Sequence, residues 1–203
     1  MKISLDNVGK RFNREWVFRH FSFEFNSRGA YAITGPNGSG KSTLLQIIAG
    51  ATMHSEGAIT FYKNDALLPS DHAYRNVSIA APYLELIEEF TAVELLHFHG
   101  GFKTLTASID EILLLVKLDK AAHKQIRYFS SGMKQRLKLA QAFFSDSDIL
   151  LLDEPSTNLD SEGFELYQSL ISNYTRNRLL IISSNVSQEF EFCNTVFNMG
   201  QYK

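Results

Sequence analysis

Ala30-Tyr-Ala-Ile-Thr34 runs directly into Gly35-Pro-Asn-Gly-Ser-Gly-Lys-Ser-Thr43, and the helix-prone stretch Leu44–Ala49 follows. An apolar β-prone run, a glycine-rich turn and a helix start, in that order, are the context in which G-x-x-x-x-G-K-[ST] reads as a phosphate-binding loop. Gly35, Gly38 and Gly40 can take backbone angles that a Cβ disfavours, so the loop's N–H groups can converge on one anion. Lys41 supplies a positive point charge for β- and γ-phosphates, and the Ser42 hydroxyl can ligate Mg²⁺. The helix that follows points its positive end at the same place. Gly35, Pro36, Asn37, Gly38, Ser39, Gly40, Lys41, Ser42 and Thr43 are therefore the candidate nucleotide contacts. A chance match is the bland alternative, and the flanking strand and helix argue against it.

The 203 residues form one expected domain, residues 1–203, large enough for a hydrophobic core. A formal net charge of −2 gives no basic footprint, so no nucleic-acid partner is expected. Cys193, the only cysteine, has no internal disulfide partner, which fits a reducing compartment. No apolar run approaches the ~18–20 residues that span a bilayer, and the first residues lack the apolar core of a signal peptide.

Upstream, Ile3–Val8 and Phe21–Phe25 alternate apolar and polar residues as half-buried strands do, and Asn26–Gly29 reads as the turn before the central strand. Downstream, Gly57–Tyr62 reads as a strand. Thr91–His99 and Ala107–Leu118 carry helical spacing with Gly100-Gly101 between them. Ile149–Leu152 and Leu179–Ser183 are continuous apolar strands, Glu162–Tyr174 is a helix between them, and Thr195–Asn198 is a last strand. This βαβ rhythm predicts an α/β fold with a mostly parallel sheet and helices on both faces.

The strand Asp148-Ile-Leu-Leu-Leu-Asp153-Glu154 ends in two adjacent carboxylates. Ligands of open α/β sheets bind beyond the carboxyl ends of strands, where these acids fall. Asp153 is then placed to hold Mg²⁺ and Glu154 to polarise an attacking water; two surface acids in a loop are the alternative. More than a hundred residues separate Lys41 from Asp153, so a sizeable insertion, about residues 82–130, lies between them. Phe129-Ser-Ser-Gly-Met-Lys-Gln-Arg136 opens another helix, with Ser130 or Ser131 as its N-cap and Gly132 leaving the helix end open. One triphosphate already has its cradle at 35–43, so this second anion-binding start points to a nucleotide held by another subunit.

In order, GPNGSGKST, FSSGMKQR, DILLLDEP and TNLD resemble the phosphate loop, signature motif, Walker B strand and D-loop of the ATP-binding-cassette (ABC) nucleotide-binding domain, across essentially the whole chain. The resemblance implies a P-loop NTPase fold with an N-terminal antiparallel β subdomain and a helical insertion. It implies ATP and Mg²⁺ as ligands and a head-to-tail dimer, here expected to be a homodimer. Ser130, Ser131, Gly132 and Met133 would meet the partner's nucleotide, and Asp160 would lie across the interface. Phe12 falls where the family stacks an aromatic on adenine, with Trp16 as its local competitor. Separate transmembrane permease subunits are implied as partners, docked on the helical insertion, with the chain peripheral on the cytoplasmic face of the cell membrane. The end at Gly200–Lys203, just past the last strand, resembles small exporter-type subunits. A soluble ABC-type ATPase, or a slowly hydrolysing module that dimerises on ATP, is the alternative.

Two positions depart from the family. Where a glutamine is expected after the strand near Ser78, Ala81 or Pro82 stands; neither can ligate a metal, and Glu85 is the nearest acid. Where the family carries a switch histidine, Asn185 follows Leu179–Ser184. Its amide can donate to a γ-phosphate but does not titrate near neutral pH. Asn185 is therefore read as a γ-phosphate sensor of reduced charge, with a turn asparagine as the bland alternative. Hydrolysis is still expected, because Lys41, Ser42, Asp153 and Glu154 are all present.

Overall fold

The computed structural model describes the backbone of residues 1–203 and the side chains of all but residues 70 and 71. Strands β1 (Lys2–Phe12) and β2 (Glu15–Phe25) form a long antiparallel hairpin, closed at Asn13, whose φ of 54° suits the tight turn. Both strands run further than the alternating patches Ile3–Val8 and Phe21–Phe25 indicated. Bulges, with left-handed backbone at Asn7 and His20, interrupt the period of two that made those patches visible. β4 (Glu56–Lys63) and β5 (Ala66–Leu68) complete a sheet of order β2-β1-β4-β5.

The second sheet is fully parallel. Its strands β3 (Ala30–Thr34), β6 (Val77–Ala80), β7 (Ile149–Asp153), β8 (Leu179–Ser183) and β9 (Thr195–Asn198) lie in the order β6-β7-β8-β3-β9. Side chains of β7 alternate between two cores: Ile149 and Leu151 face one, Leu150 and Leu152 the other. β8 does the same, with Leu179 and Ile181 against Leu180 and Ile182. Each such fully buried side chain contributes roughly 1.5–3 kcal/mol over an exposed one, which is why both strands read as unbroken apolar runs.

One core is roofed by helices α2 (Ala92–Gly100), α3 (Ile109–Leu115), α4 (Ser131–Phe143) and α5 (Ser161–Tyr174). The other is covered by α1 (Lys41–Ile48) together with the antiparallel sheet. Helices on both faces were expected, and α1 lies on the second face, sharing its core with residues of the antiparallel sheet. Phe23 packs edge-on to Phe197 with centroids 4.2 Å apart, and Phe25 to Tyr31 at 5.0 Å, which joins the two sheets. Within 82–130, α2 carries a capping box from Thr91 and Glu94, and α3 is capped by Ser108. α3 is shorter than the spacing over 107–118 indicated, because Val116 closes it and the chain turns through Asp119–Ala121.

Parallel strands place their carboxyl ends together. Ile33 of β3 and Asp153 of β7 both pair with Ser183 of β8, so the turns after these three strands share one edge.

Candidate functional site

The glycine-rich turn after β3 closes on itself, with the Ser39 N–H donating to the Pro36 carbonyl at 3.1 Å. At Gly40, the N-cap of α1, φ is 98°, and a Cβ would sit 2.9 Å from both Phe18 and Val17. Gly35 has φ 135°, with space for a Cβ only 2.9 Å from the Ser39 hydroxyl. Glycine is needed at both. Lys41 is buried, and its Nζ donates to the Gly35 carbonyl at 2.8 Å and to that of Pro36 at 3.4 Å, arching over the loop.

Asp153 is 1% exposed, and neither of its oxygens has a hydrogen-bond partner among the described residues. Burial pushes its pKa up, as does the Glu154 charge; the nearby Ser42 and Ser183 hydroxyls and Lys41 pull it down. An orphaned carboxylate beside a serine hydroxyl is a set of hard oxygen donors, which fits Mg²⁺. Among the described residues no three His, Cys, Asp or Glu side chains group to hold a metal alone. Such an ion would be completed by phosphate and water, as Mg²⁺ commonly is.

Glu154 is exposed, with φ 43°, an αL backbone that costs a non-glycine residue roughly 1–2 kcal/mol. Its N–H donates to the Ser183 carbonyl at 2.8 Å, so the bend is held by the neighbouring strand. Beyond β8, the Asn185 Oδ1 accepts from the Gly35 N–H at 3.1 Å. An N–H can only donate to the amide oxygen, so the Asn185 NH₂ faces away from that bond.

Ser130 is the N-cap of α4, its hydroxyl accepting from the Met133 N–H at 3.2 Å; Ser131 is the first helical residue. Among the described residues no hydrogen bond joins Ser130–Met133 to residues 35–43. The start of α4 instead meets the turn after Glu154: a Cβ on Gly132 would lie 3.0 Å from the Asn158 carbonyl. Asp160 caps α5, with Oδ1 accepting from the Gly163 N–H at 2.8 Å. Phe12 is 51% exposed and lines a depression with Trp16, Val17 and Gly38. The Trp16 ring carries both Arg11 and Arg19, whereas Phe12 carries Lys10 alone, with Nζ 4.6 Å from its centroid.

Sequence reasoning missed Tyr83. The Lys138 ammonium donates to the Pro82 carbonyl at 2.9 Å and Leu84 N–H to Ala81, which turns the chain just past β6. Tyr83 is 41% exposed, and the partial burial of its ring, followed by the Asp153 charge, pushes the hydroxyl pKa up to about 12, with Gln46 of α1 acting in the opposite sense. A neutral phenol therefore stands near Asp153, in the region where the family carries a glutamine. Glu85 is exposed, and its charge is felt by Lys138. The available signal was a hydroxyl aromatic directly after Pro82.

A phosphate loop, a buried acid facing it and strand ends converging on both define a P-loop nucleotide-binding domain. The family model described as ABC transporter matches residues 18–157. The chain belongs to that family. It is 32% identical over 195 residues to the Nod factor export ATP-binding protein I of Burkholderia lata, covering 93% of this chain and 64% of that protein. The chain thus spans less than two thirds of the length of that curated relative. An ATP-binding cassette solved as a dimer in a post-hydrolysis state with ADP and Pi superposes with a TM-score of 0.81 at 23% identity, covering 97% of this chain and 93% of that one. The ATP-binding subunit of an ABC transporter gives a TM-score of 0.83 at 21% identity, over 98% of this chain and 87% of that one. At these identities the two structures speak for the fold alone.

Proposed function

We propose that the chain binds and hydrolyses ATP as the motor subunit of an ABC membrane transporter, driving separate transmembrane subunits from their cytoplasmic side by ATP-dependent pairing of two copies. Residues 1–203 are one cassette, and 82–130 are the helical insertion that docks on the membrane subunits. No helix among the described residues is long and apolar enough to cross a membrane, so the membrane passage is assigned to the partners. Export is the proposed direction, the word in the relative's name.

The observation that carries this reading is the unpartnered Asp153 carboxylate at the end of β7, set across β8 from the glycine-rich loop. Bound Mg²⁺, held by Ser42 and Asp153, would neutralise charge on the phosphates. Lys41 would exchange its loop carbonyls for β- and γ-phosphate oxygens. Glu154 would take a proton from the attacking water, and the Asn185 NH₂ would hydrogen-bond the γ-phosphate. Ser130–Met133 of the second copy would close the site, and Phe12 would stack on the base.

The test is Glu154→Gln. It should bind ATP as the parent does and lose turnover by about 10²–10⁴-fold; a variant hydrolysing at the parental rate removes Glu154 from the reaction.

A further inference from the structure

Glu189 ends a short 3₁₀ turn, Ser187–Glu189, that follows Asn185, and it folds inward until it is 1% exposed. Its Oε1 accepts from the Ser156 N–H at 2.8 Å and also from the Ser156 hydroxyl. Its carbonyl accepts from the Tyr167 hydroxyl of α5 at 2.7 Å. Oε2 is buried with no hydrogen-bond partner among the described residues. A buried carboxylate is costly unless hydrogen-bonded, and an apolar residue of similar volume would often pack as well. Packing alone therefore does not account for a glutamate here; the link to Ser156 does.

That link joins two turns of the candidate site. The turn after β8 is fixed at one end to the phosphate loop through Asn185 and Gly35, and at the other to Ser156 through Glu189. Ser156 lies between Glu154 and Asp160. The adjacent Pro155 carbonyl accepts from the buried Gln135 Nε2 of α4 at 2.7 Å. The 155–160 turn is thus held from both sides, by the turn after β8 and by the helix that begins at Ser130–Met133.

We propose that Glu189 is a positioning residue that ties the 155–160 turn to the turn carrying Asn185, so that nucleotide at the loop and the surface offered to a second copy are set together. This rests on the reading that ATP pairs two chains. Coupling of this kind is a difference in free energy between two events and needs a measurement that separates them.

The experiment uses the full chain carrying Glu154→Gln, with Glu189→Ala, Glu189→Gln or Ser156→Ala added. It reads affinity for a fluorescent ATP analogue, the ATP-dependent dimer fraction by sedimentation, and hydrogen exchange at the Ser156 amide. Glu189→Ala should keep nucleotide affinity within about twofold, weaken dimerisation about tenfold or more, and speed exchange at Ser156. Glu189→Gln keeps an acceptor oxygen and should dimerise within about threefold of its parent; Ser156→Ala, which loses only the hydroxyl, should fall between the two. If Glu189→Ala does not fold, Ser156→Ala still decides: dimerisation weakened with nucleotide affinity retained supports the proposal, and parental dimerisation overturns it. Dimerisation unchanged in Glu189→Ala, or falling in step with nucleotide affinity, overturns it as well. A Glu154→Gln chain that binds ATP and stays monomeric contradicts the pairing itself, and the proposal with it; a chain that pairs equally well with and without Glu189 contradicts the proposal alone.

Discussion

The amide oxygen of Asn185 accepts a hydrogen bond from the Gly35 N–H at 3.1 Å, tying the turn after β8 to the first residue of the glycine-rich loop. The bond uses the amide oxygen and so orients the NH₂. An asparagine serving only as a turn residue would not need that particular partner.

Asn185→Ala should therefore lower kcat by at least about tenfold while ATP affinity stays within about twofold, since a donor aimed at developing charge acts mainly in the transition state. Asn185→His should keep or raise kcat and add a pH dependence near about 6.5 that the parent lacks. Steady-state ATPase measurements from pH 5.5 to 8.5 check both; parental kinetics in Asn185→Ala would reduce the residue to a turn.

Asp153 is buried and unpartnered, and its folded pKa lies above that of the unfolded chain. Its contribution to folding is then fully present below the unfolded value of about 3.9 and is lost as pH rises through the folded one. Asp153→Asn should stabilise the nucleotide-free chain by about 1–3 kcal/mol at neutral pH, with the gain shrinking toward pH 4. The same variant should lose the dependence of ATP affinity on Mg²⁺. Thermal melts across pH, with and without Mg²⁺, decide this; a destabilised variant at pH 7 would contradict it.

Tyr83 stays a neutral donor through the physiological range, its pKa pushed up to about 12. Tyr83→Phe removes the hydroxyl and keeps the ring, so the fold should be unaffected and kcat should fall on the order of fivefold, the worth of one hydrogen bond. Comparing kcat and melting temperature of the two chains separates a role at the site from one in packing.

The parts of the site that follow from backbone chemistry were legible in the sequence. The glycines at 35 and 40 announce their dihedral angles, and Ile149–Leu152 announces burial on both faces, so the loop, the parallel sheet and the place of Asp153 could be read directly. The full length of the hairpin could not, because bulges at Asn7 and His20 break its alternation. Nor could the choice of Ser130 over Ser131 as cap, which depends on where one hydroxyl meets the Met133 N–H. Tyr83 and Glu189 were invisible for another reason: what surrounds each side chain is far away in the chain, the Asp153 charge for Tyr83 and Ser156 for Glu189, and no local pattern encodes that.

Residues 35–43 are proposed to form half of a nucleotide site, completed by Ser130–Met133 of a second copy. Mixing two inactive chains tests it most directly: Lys41→Ala, which spoils the loop, and Gly132→Asp, which spoils the start of α4. In a head-to-tail pair one composite site then keeps both intact halves, while the other carries both lesions. ATPase activity, absent from either variant alone, should return when the two are mixed and rise toward equal proportions. Activity that stays absent at every ratio, with both variants folded and mixed pairs demonstrated, would contradict it.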